Sequence, residues 1–189
     1  MIHSDGRVRC TWSPDPAENP LYARYHDEEW GQPVRGNRAL FERLSLEAFQ
    51  SGLSWITVLR KREAFRSAFA DFDPDVVATF GDDDVERLLA DAGIVRNRAK
   101  ILATVANARV LVSENVDLDA LLWSYAPPPR PRPITAADVP AVTAESTAMA
   151  TALKKRGFRF VGPTTAYALM QATGMVDDHL QDCWVPQTR

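Results

Sequence analysis

Both cysteines and two of the three histidines stand near opposite ends of this 189-residue chain, so any reading that joins them fixes where the termini go. They are Cys10, His26, His179 and Cys183. The His179–Cys183 spacing of i, i+4 predicts that both side chains lie on one face of a helix. Cys10 and His26 have no regular spacing and converge only if the tertiary fold brings them together. Two thiolates and two imidazoles are what a closed tetrahedral zinc site requires. One ion holding all four would fasten the N-terminal segment to the C-terminal one. The plainer reading is two unrelated buried thiols and two surface histidines, and spacing alone favours it.

With 46% hydrophobic residues, the chain has enough apolar surface for one domain or two intimate lobes. Met1 is followed by His3, Asp5, Arg7 and Arg9 with no apolar stretch of a secretory leader, and no run is long enough to span a bilayer. Two cysteines are too few for a disulfide framework. A cytoplasmic location with reduced thiols and no membrane association is therefore expected. The net charge of −3 does not advertise a nucleic-acid partner, but binding needs only a local basic patch.

The apolar spacing predicts an all-α fold. Helices are expected over Arg38 to Ser51, from Ser54 through Phe69, after Asp73-Pro74, and from Asp82 or Asp83 to near Gly93. Others are expected over Val95 to Ser113, Leu118 to Tyr125, Thr143 to Arg156 and Thr164 to Thr173. The tract from Pro127 to Pro133 reads as a loop.

Basic residues form three groups: Arg60-Lys61-Arg62, Arg96/Arg98/Lys100, and Lys154-Lys155-Arg156 with Arg159. The first two read most simply as solvated helix ends. The third precedes a glycine-bounded hairpin and a new helix opening at Gly162-Pro163-Thr164-Thr165, whose free N–H groups make an anion site, with Thr164 and Thr165 as phosphate contacts. Farther upstream, Glu47 lies near the apolar face of its helix. It is either an ordinary surface glutamate or a carboxylate buried for a purpose. Trp12, Tyr22, Tyr25, Trp30 and Trp55 read first as core. Together with a carboxylate they would also suit a flat, cationic, nitrogen-rich ligand.

The segments YHDEEWG (Tyr25 to Gly31), LEAFQSGLSWITVLRKRE (Leu46 to Glu63), DAGIVRNRAKI (Asp91 to Ile101) and KKRGFRFVGPTTAYALMQATGMVDDH (Lys154 to His179) resemble the DNA-3-methyladenine glycosylase I family of the helix-hairpin-helix superfamily. The likeness runs from about Cys10 to Cys183 in unbroken order. It implies a single glycosylase unit over residues 1–189, with the helix-hairpin-helix around residues 154–175. It also implies a structural zinc ion, one per chain, on Cys10, His26, His179 and Cys183. Double-stranded alkylated DNA would be the substrate, flipped 3-methyladenine the base released, and a monomer the working form. By the same resemblance Glu47 is the catalytic and base-reading carboxylate. Tyr25 adds a polar contact, Trp55 and Trp12 add aromatic faces, and Gly162, Thr164 and Thr165 hold DNA. Leu53 would be a wedge beside the flipped nucleotide.

Asp177 departs from the family, whose members often carry asparagine there. It is the second candidate catalytic residue if it faces the sugar, and otherwise it caps or orients a helix bearing His179. Two alternatives follow: a broader alkylpurine glycosylase using Asp177, and a zinc-stabilised module that binds lesions without cleaving. Two cysteines exclude an ordinary four-cysteine iron–sulfur ligand set, and no lysine occupies an obvious nucleophile position, so no lyase step is expected.

Overall fold

Asn19 and Pro20 open the first helix of a fold that, among the described residues, is helical throughout. The computed structural model describes residues 2–187, so the expected unit of residues 1–189 extends beyond them at both ends. Those residues form ten α-helices and two 3-10 turns, with one antiparallel bridge between Ile2 and Val8.

Helix α1 (Pro20–Glu28) was not expected. Its buried face is Ala23, Tyr25 and His26, too short and too polar to print an apolar stripe on the sequence. Its cap was legible, since Asn19 Oδ1 accepts the Tyr22 N–H at 3.2 Å and Pro20 sits at the first helical position.

Helix α2 (Asn37–Gln50) follows the expected span and buries Leu40, Phe41, Leu44, Leu46, Glu47 and Phe49. The single helix expected from Ser54 to Phe69 is instead two, α3 (Trp55–Arg60) and α4 (Arg62–Ala68), hinged at Lys61. Ser54 bonds the Thr57 hydroxyl at 2.9 Å and no helical N–H, so it caps weakly. After α4, Ala70, Asp71 and Phe72 take φ of 50°, 54° and 54°, three successive left-handed residues at about 1–2 kcal/mol each. This turn stacks Phe72 on Phe69 with ring centroids 5.5 Å apart. The rings of Phe49, Phe65, Phe69 and Phe80 continue the same aromatic core.

Asp73 caps α5 (Pro74–Ala78), as expected, by accepting the Asp75 N–H. Helix α6 (Asp82–Ala90) ends before Gly93, and α7 (Arg98–Ser113) starts three residues later than expected because Asn97 accepts the Lys100 N–H at 3.1 Å. Asp117 caps α8 (Leu118–Trp123), and Thr143 with Ser146 forms a capping box on α9 (Ala144–Lys155). Helix α10 (Pro163–Ala172) packs on both α9 and α2, while α7 packs on α5. Burying each large apolar side chain in this core contributes about 1.5–3 kcal/mol.

The helix expected to carry His179 and Cys183 is absent. Gly174 ends α10 at φ +69°, where a Cβ would fall 2.6 Å from the Gln32 carbonyl carbon. The chain beyond it runs as loop and turn through Cys183. The i, i+4 pair meets by a turn closed by the Cys183 N–H on the Leu180 carbonyl oxygen at 2.9 Å. Around it lies a small second core of Cys10, Leu180, Cys183 and Val185, with Trp30 against it.

Candidate active site

Glu47 is placed by its position on α2, the helix whose apolar side faces the core, and only 6% of its surface is exposed. Burial pushes its carboxyl up to about 8, against a smaller opposing pull from Arg43 one turn earlier. Among the described residues nothing donates a hydrogen bond to it. It lines a cavity of 320 Å³ whose walls are aromatic: Trp12, Tyr22, Tyr25, Trp30 and Trp55. Trp55 Nε1 is buried with no hydrogen-bond partner among the described residues. Tyr25 is buried too, its phenol raised first by desolvation and then by Glu47. Buried polar groups without partners are rare in folded proteins, and here two of them share one cavity.

The aromatic walls pack against one another, edge to face at Trp12–Trp30 and tilted at Tyr25–Trp55 and Trp12–Tyr22. Tyr25 meets Trp55 at 5.2 Å between centroids, and Trp12 meets Trp30 at 4.9 Å and Tyr22 at 5.4 Å. Gln50 and Trp55 both line the cavity, so the exposed loop of residues 51–54 between them borders its mouth. Leu53, on that loop, is 42% exposed. Lys100, read from sequence as a solvated charge, is buried and donates from Nζ to the carbonyl oxygens of Phe49 (2.8 Å) and Ser51. It ties the end of α2 to α7 and fixes the base of this loop.

Beside the cavity, Cys10, His26, His179 and Cys183 come together, with their ligand atoms within 4.8 Å of one another. Cys10 Sγ and Cys183 Sγ each lie 3.6 Å from His179 Nδ1, and Cys183 Sγ lies 3.7 Å from His26 Nε2. A tetrahedral ion with sulfur at about 2.3 Å and nitrogen at about 2.0–2.1 Å separates such atoms by roughly 3.6 Å. The nitrogens turned away are held: His26 Nδ1 by Asp27 at 2.8 Å, His179 Nε2 by the Trp30 carbonyl oxygen at 3.0 Å. Arg9, 1% exposed, forks onto Asp27 at 2.8 and 2.7 Å. The two thiols resist ionising together: the proximity of the other thiol and burial push Cys10 up, while Cys10 and the two imidazoles hold Cys183 down. A cation between them relieves that conflict. The donor set and spacing fit a metal.

Asp177 and Asp178 part company. Asp177 is outside the cavity lining; its Oδ2 accepts from Arg132 Nε at 2.9 Å and its Oδ1 from the His179 N–H at 3.2 Å. The residue it orients lies on a loop and not on a helix. Asp178, 2% exposed, does line the cavity, with Gln171. Sequence reasoning missed this pair, along with Tyr167 and Arg130 that bond to Asp178. The visible signal was the i, i+4 spacing of Tyr167 and Gln171.

Of the three basic groups, two have structural partners. Lys61 Nζ donates to the Ala92 carbonyl oxygen at 2.8 Å, Arg62 forks onto Glu29, and Arg98 pairs with Glu86. Lys154, Lys155, Arg156 and Arg159 are exposed, with no ion pair among the described residues. They flank the hairpin between α9 and α10, which Asn107 pins by accepting the Arg159 N–H at 2.8 Å. Thr164 and Thr165 follow at the start of α10, where the first backbone bond is Ala166 N–H to the Gly162 carbonyl oxygen at 2.8 Å. Gly162 is the N-cap.

Comparison with known proteins converges. The methyladenine glycosylase family matches residues 15–186. DNA-3-methyladenine glycosylase 1 of Escherichia coli is 46% identical over 180 residues, covering 93% of this chain and 95% of that protein. The DNA-3-methyladenine glycosylase of Haemophilus influenzae is 43% identical, over 93% of this chain and 96% of that protein. A crystal structure of 3-methyladenine DNA glycosylase I superposes with a TM-score of 0.89 at 44% identity, covering 94% of this chain and 98% of that one. The Staphylococcus aureus enzyme, solved to explain its recognition of 3-methyladenine, gives 0.86 at 37% identity, covering 91% and 95%.

Proposed function

This chain belongs to the methyladenine glycosylase family, and from that premise we propose a base-excision repair reaction: hydrolysis of the N-glycosidic bond of 3-methyladenine in alkylated DNA. The 320 Å³ cavity is its base pocket. One observation carries the assignment of the pocket. A buried carboxylate without a donor stands among aromatic faces, beside a buried indole N–H without an acceptor.

The chemistry follows from the leaving group. Methylation at N3 gives the adenine a fixed positive charge. When the C1′–N9 bond breaks, its electron pair neutralises the base, the sugar passes through an oxocarbenium-like state, and water completes the hydrolysis, losing its proton to solvent. The protein must therefore select the cation and keep it out of the stack. Unstacking costs a few kcal/mol. Glu47 is the charge that a cationic base matches and a neutral one does not. Tyr25 adds a polar contact, and Trp12 and Trp55 add faces for stacking and cation–π attraction. Leu53 is the wedge that takes the place of the flipped nucleotide. Gly162, Thr164 and Thr165 anchor a backbone phosphate at the positive end of α10, with the exposed lysines adding attraction that ignores sequence.

Zinc is the metal we assign to Cys10, His26, His179 and Cys183, because two thiolates and two imidazoles suit it and complete its tetrahedron. When bound, it supplies a structural cross-link between the N- and C-terminal segments, with no open position for chemistry. Asp177 supports that cross-link by orienting His179. We read the whole chain as one glycosylase unit acting as a monomer, without a lyase step.

The test is base release from methylated double-stranded DNA, with the products separated by identity. Free 3-methyladenine is the expected product. Tight binding of the lesion with no released base would instead make the chain a lesion-binding module. Release of N7-methylated or unmodified purines at comparable rates would make it a broader glycosylase.

A further inference from the structure

Gln171 is the half-buried amide on the cavity wall, one turn after Tyr167 on α10. Its Nε2 donates to Asp178 Oδ2 at 2.9 Å. The Tyr167 hydroxyl donates to the same oxygen at 2.6 Å, and Arg130 Nη2 donates to the other oxygen at 2.7 Å. Arg130 Nη2 also reaches the Tyr167 hydroxyl at 2.8 Å, closing the network.

A carboxylate accepts and cannot donate, so the Gln171 amide must turn its nitrogen toward Asp178. Its oxygen is left as an acceptor, and nothing among the described residues donates to it. The Tyr167 phenol is pushed up by burial first and by Asp178 second, so it stays a donor and does not compete for that role. The backbone of Gln171 is fixed as well, because its carbonyl oxygen accepts the Gly31 N–H at 3.1 Å.

We propose that Gln171 is a specificity-determining residue, its amide oxygen presented to the base as an acceptor, with Asp178 as the positioning residue that locks the amide in that orientation. The proposal rests on the cavity being the base pocket. The ligand chemistry it selects is an amino group on the purine edge, as adenine carries at C6. A 6-oxo purine would set an acceptor against an acceptor, and a site built for an N–H rejects the analogue lacking it because its own polar group is left unpaired.

The experiment measures equilibrium binding of free 3-methyladenine and of 3-methylhypoxanthine, its 6-oxo counterpart. Wild type, Gln171→Met, Asp178→Asn and the double variant are compared, with unfolding midpoints as a check on folding. Wild type should prefer 3-methyladenine, and Gln171→Met should reduce that preference about tenfold. Asp178→Asn frees the amide to flip and should reduce the preference in the same direction. In the double variant it should add nothing to Gln171→Met, because it acts only through that side chain. A purely structural role weakens both ligands alike, and an unchanged preference in folded Gln171→Met overturns the proposal. Should that variant fail to fold, an unchanged preference in Asp178→Asn overturns it equally. If wild type binds neither base, the base-pocket reading fails and this inference with it, an outcome distinct from binding without a loss of preference.

Discussion

The cavity and the cysteine–histidine cluster share a wall at Cys10, Trp30 and Leu180, yet they treat buried polarity in opposite ways. In the cluster, each imidazole nitrogen facing outward has a partner, and the ligand atoms converge on one point. In the cavity wall, the Glu47 carboxylate and the buried Trp55 Nε1 have no hydrogen-bond partner among the described residues. The first arrangement suits a permanent occupant whose geometry is set in advance. The second suits a transient one that brings the missing partners itself. Loss of the cluster should therefore damage folding, while loss of the open polar groups should damage function and relieve folding.

The largest expected effect breaks the cluster. Cys183→Ser or His26→Ala should lower stability by about 5 kcal/mol or more, since metal affinity is folding free energy. Denaturant unfolding measures the loss, and elemental analysis should find one zinc per wild-type chain. Wild-type protein without stoichiometric metal would remove this half of the comparison.

Glu47 should behave in the opposite sense. Its carboxyl is raised from 4.5 to about 8, so folding takes up a proton between those values. The penalty is absent below about pH 4.5, grows as pH rises and is complete above about 8. Glu47→Gln should therefore raise stability at pH 8 by on the order of 4 kcal/mol, and by little at pH 4. Parallel unfolding curves at the two pH values check the sign.

A smaller effect is expected at Asp177. Asn in its place keeps an oxygen for the His179 N–H, and Arg132 keeps its bond to the Val185 carbonyl oxygen at 2.7 Å. Asp177→Asn should slow single-turnover base release less than about tenfold, or roughly 1.4 kcal/mol. A hundredfold loss with zinc content and DNA affinity intact would make Asp177 a chemical participant. Smallest of all, Lys154→Ala should reduce the slope of log affinity against log salt by about 1, uniformly across DNA sequences.

Much of this was legible in the chain, and the failures have physical causes. Helices α2, α5 and α9 announced themselves through apolar spacing and caps. Helix α1 did not, because its inner face includes His26. The His179–Cys183 spacing suggested a helix, but four residues of turn bring the pair together equally well. Local pattern could not tell a buried Glu47 from a surface glutamate; the resemblance supplied that choice. Of the network around Asp178 only the Tyr167–Gln171 spacing on α10 was visible; its closure by Arg130 was out of reach, because that joins a proline-rich loop to α10 and the loop after it. Lys100 was misread for a related reason: its partners are carbonyl oxygens, which the sequence does not display.

The most direct test of the central claim is the pH dependence of single-turnover 3-methyladenine release, with enzyme below saturation, in wild type and Glu47→Gln. A fixed cation in DNA calls for an ionised partner, and the free pocket holds Glu47 near 8. The wild-type rate should climb with pH and level off above about 8. Glu47→Gln should be slower by on the order of a hundredfold and flat across the same range, with DNA binding largely retained. Glu47→Gln releasing base at the wild-type rate, with the wild-type profile, would contradict the account.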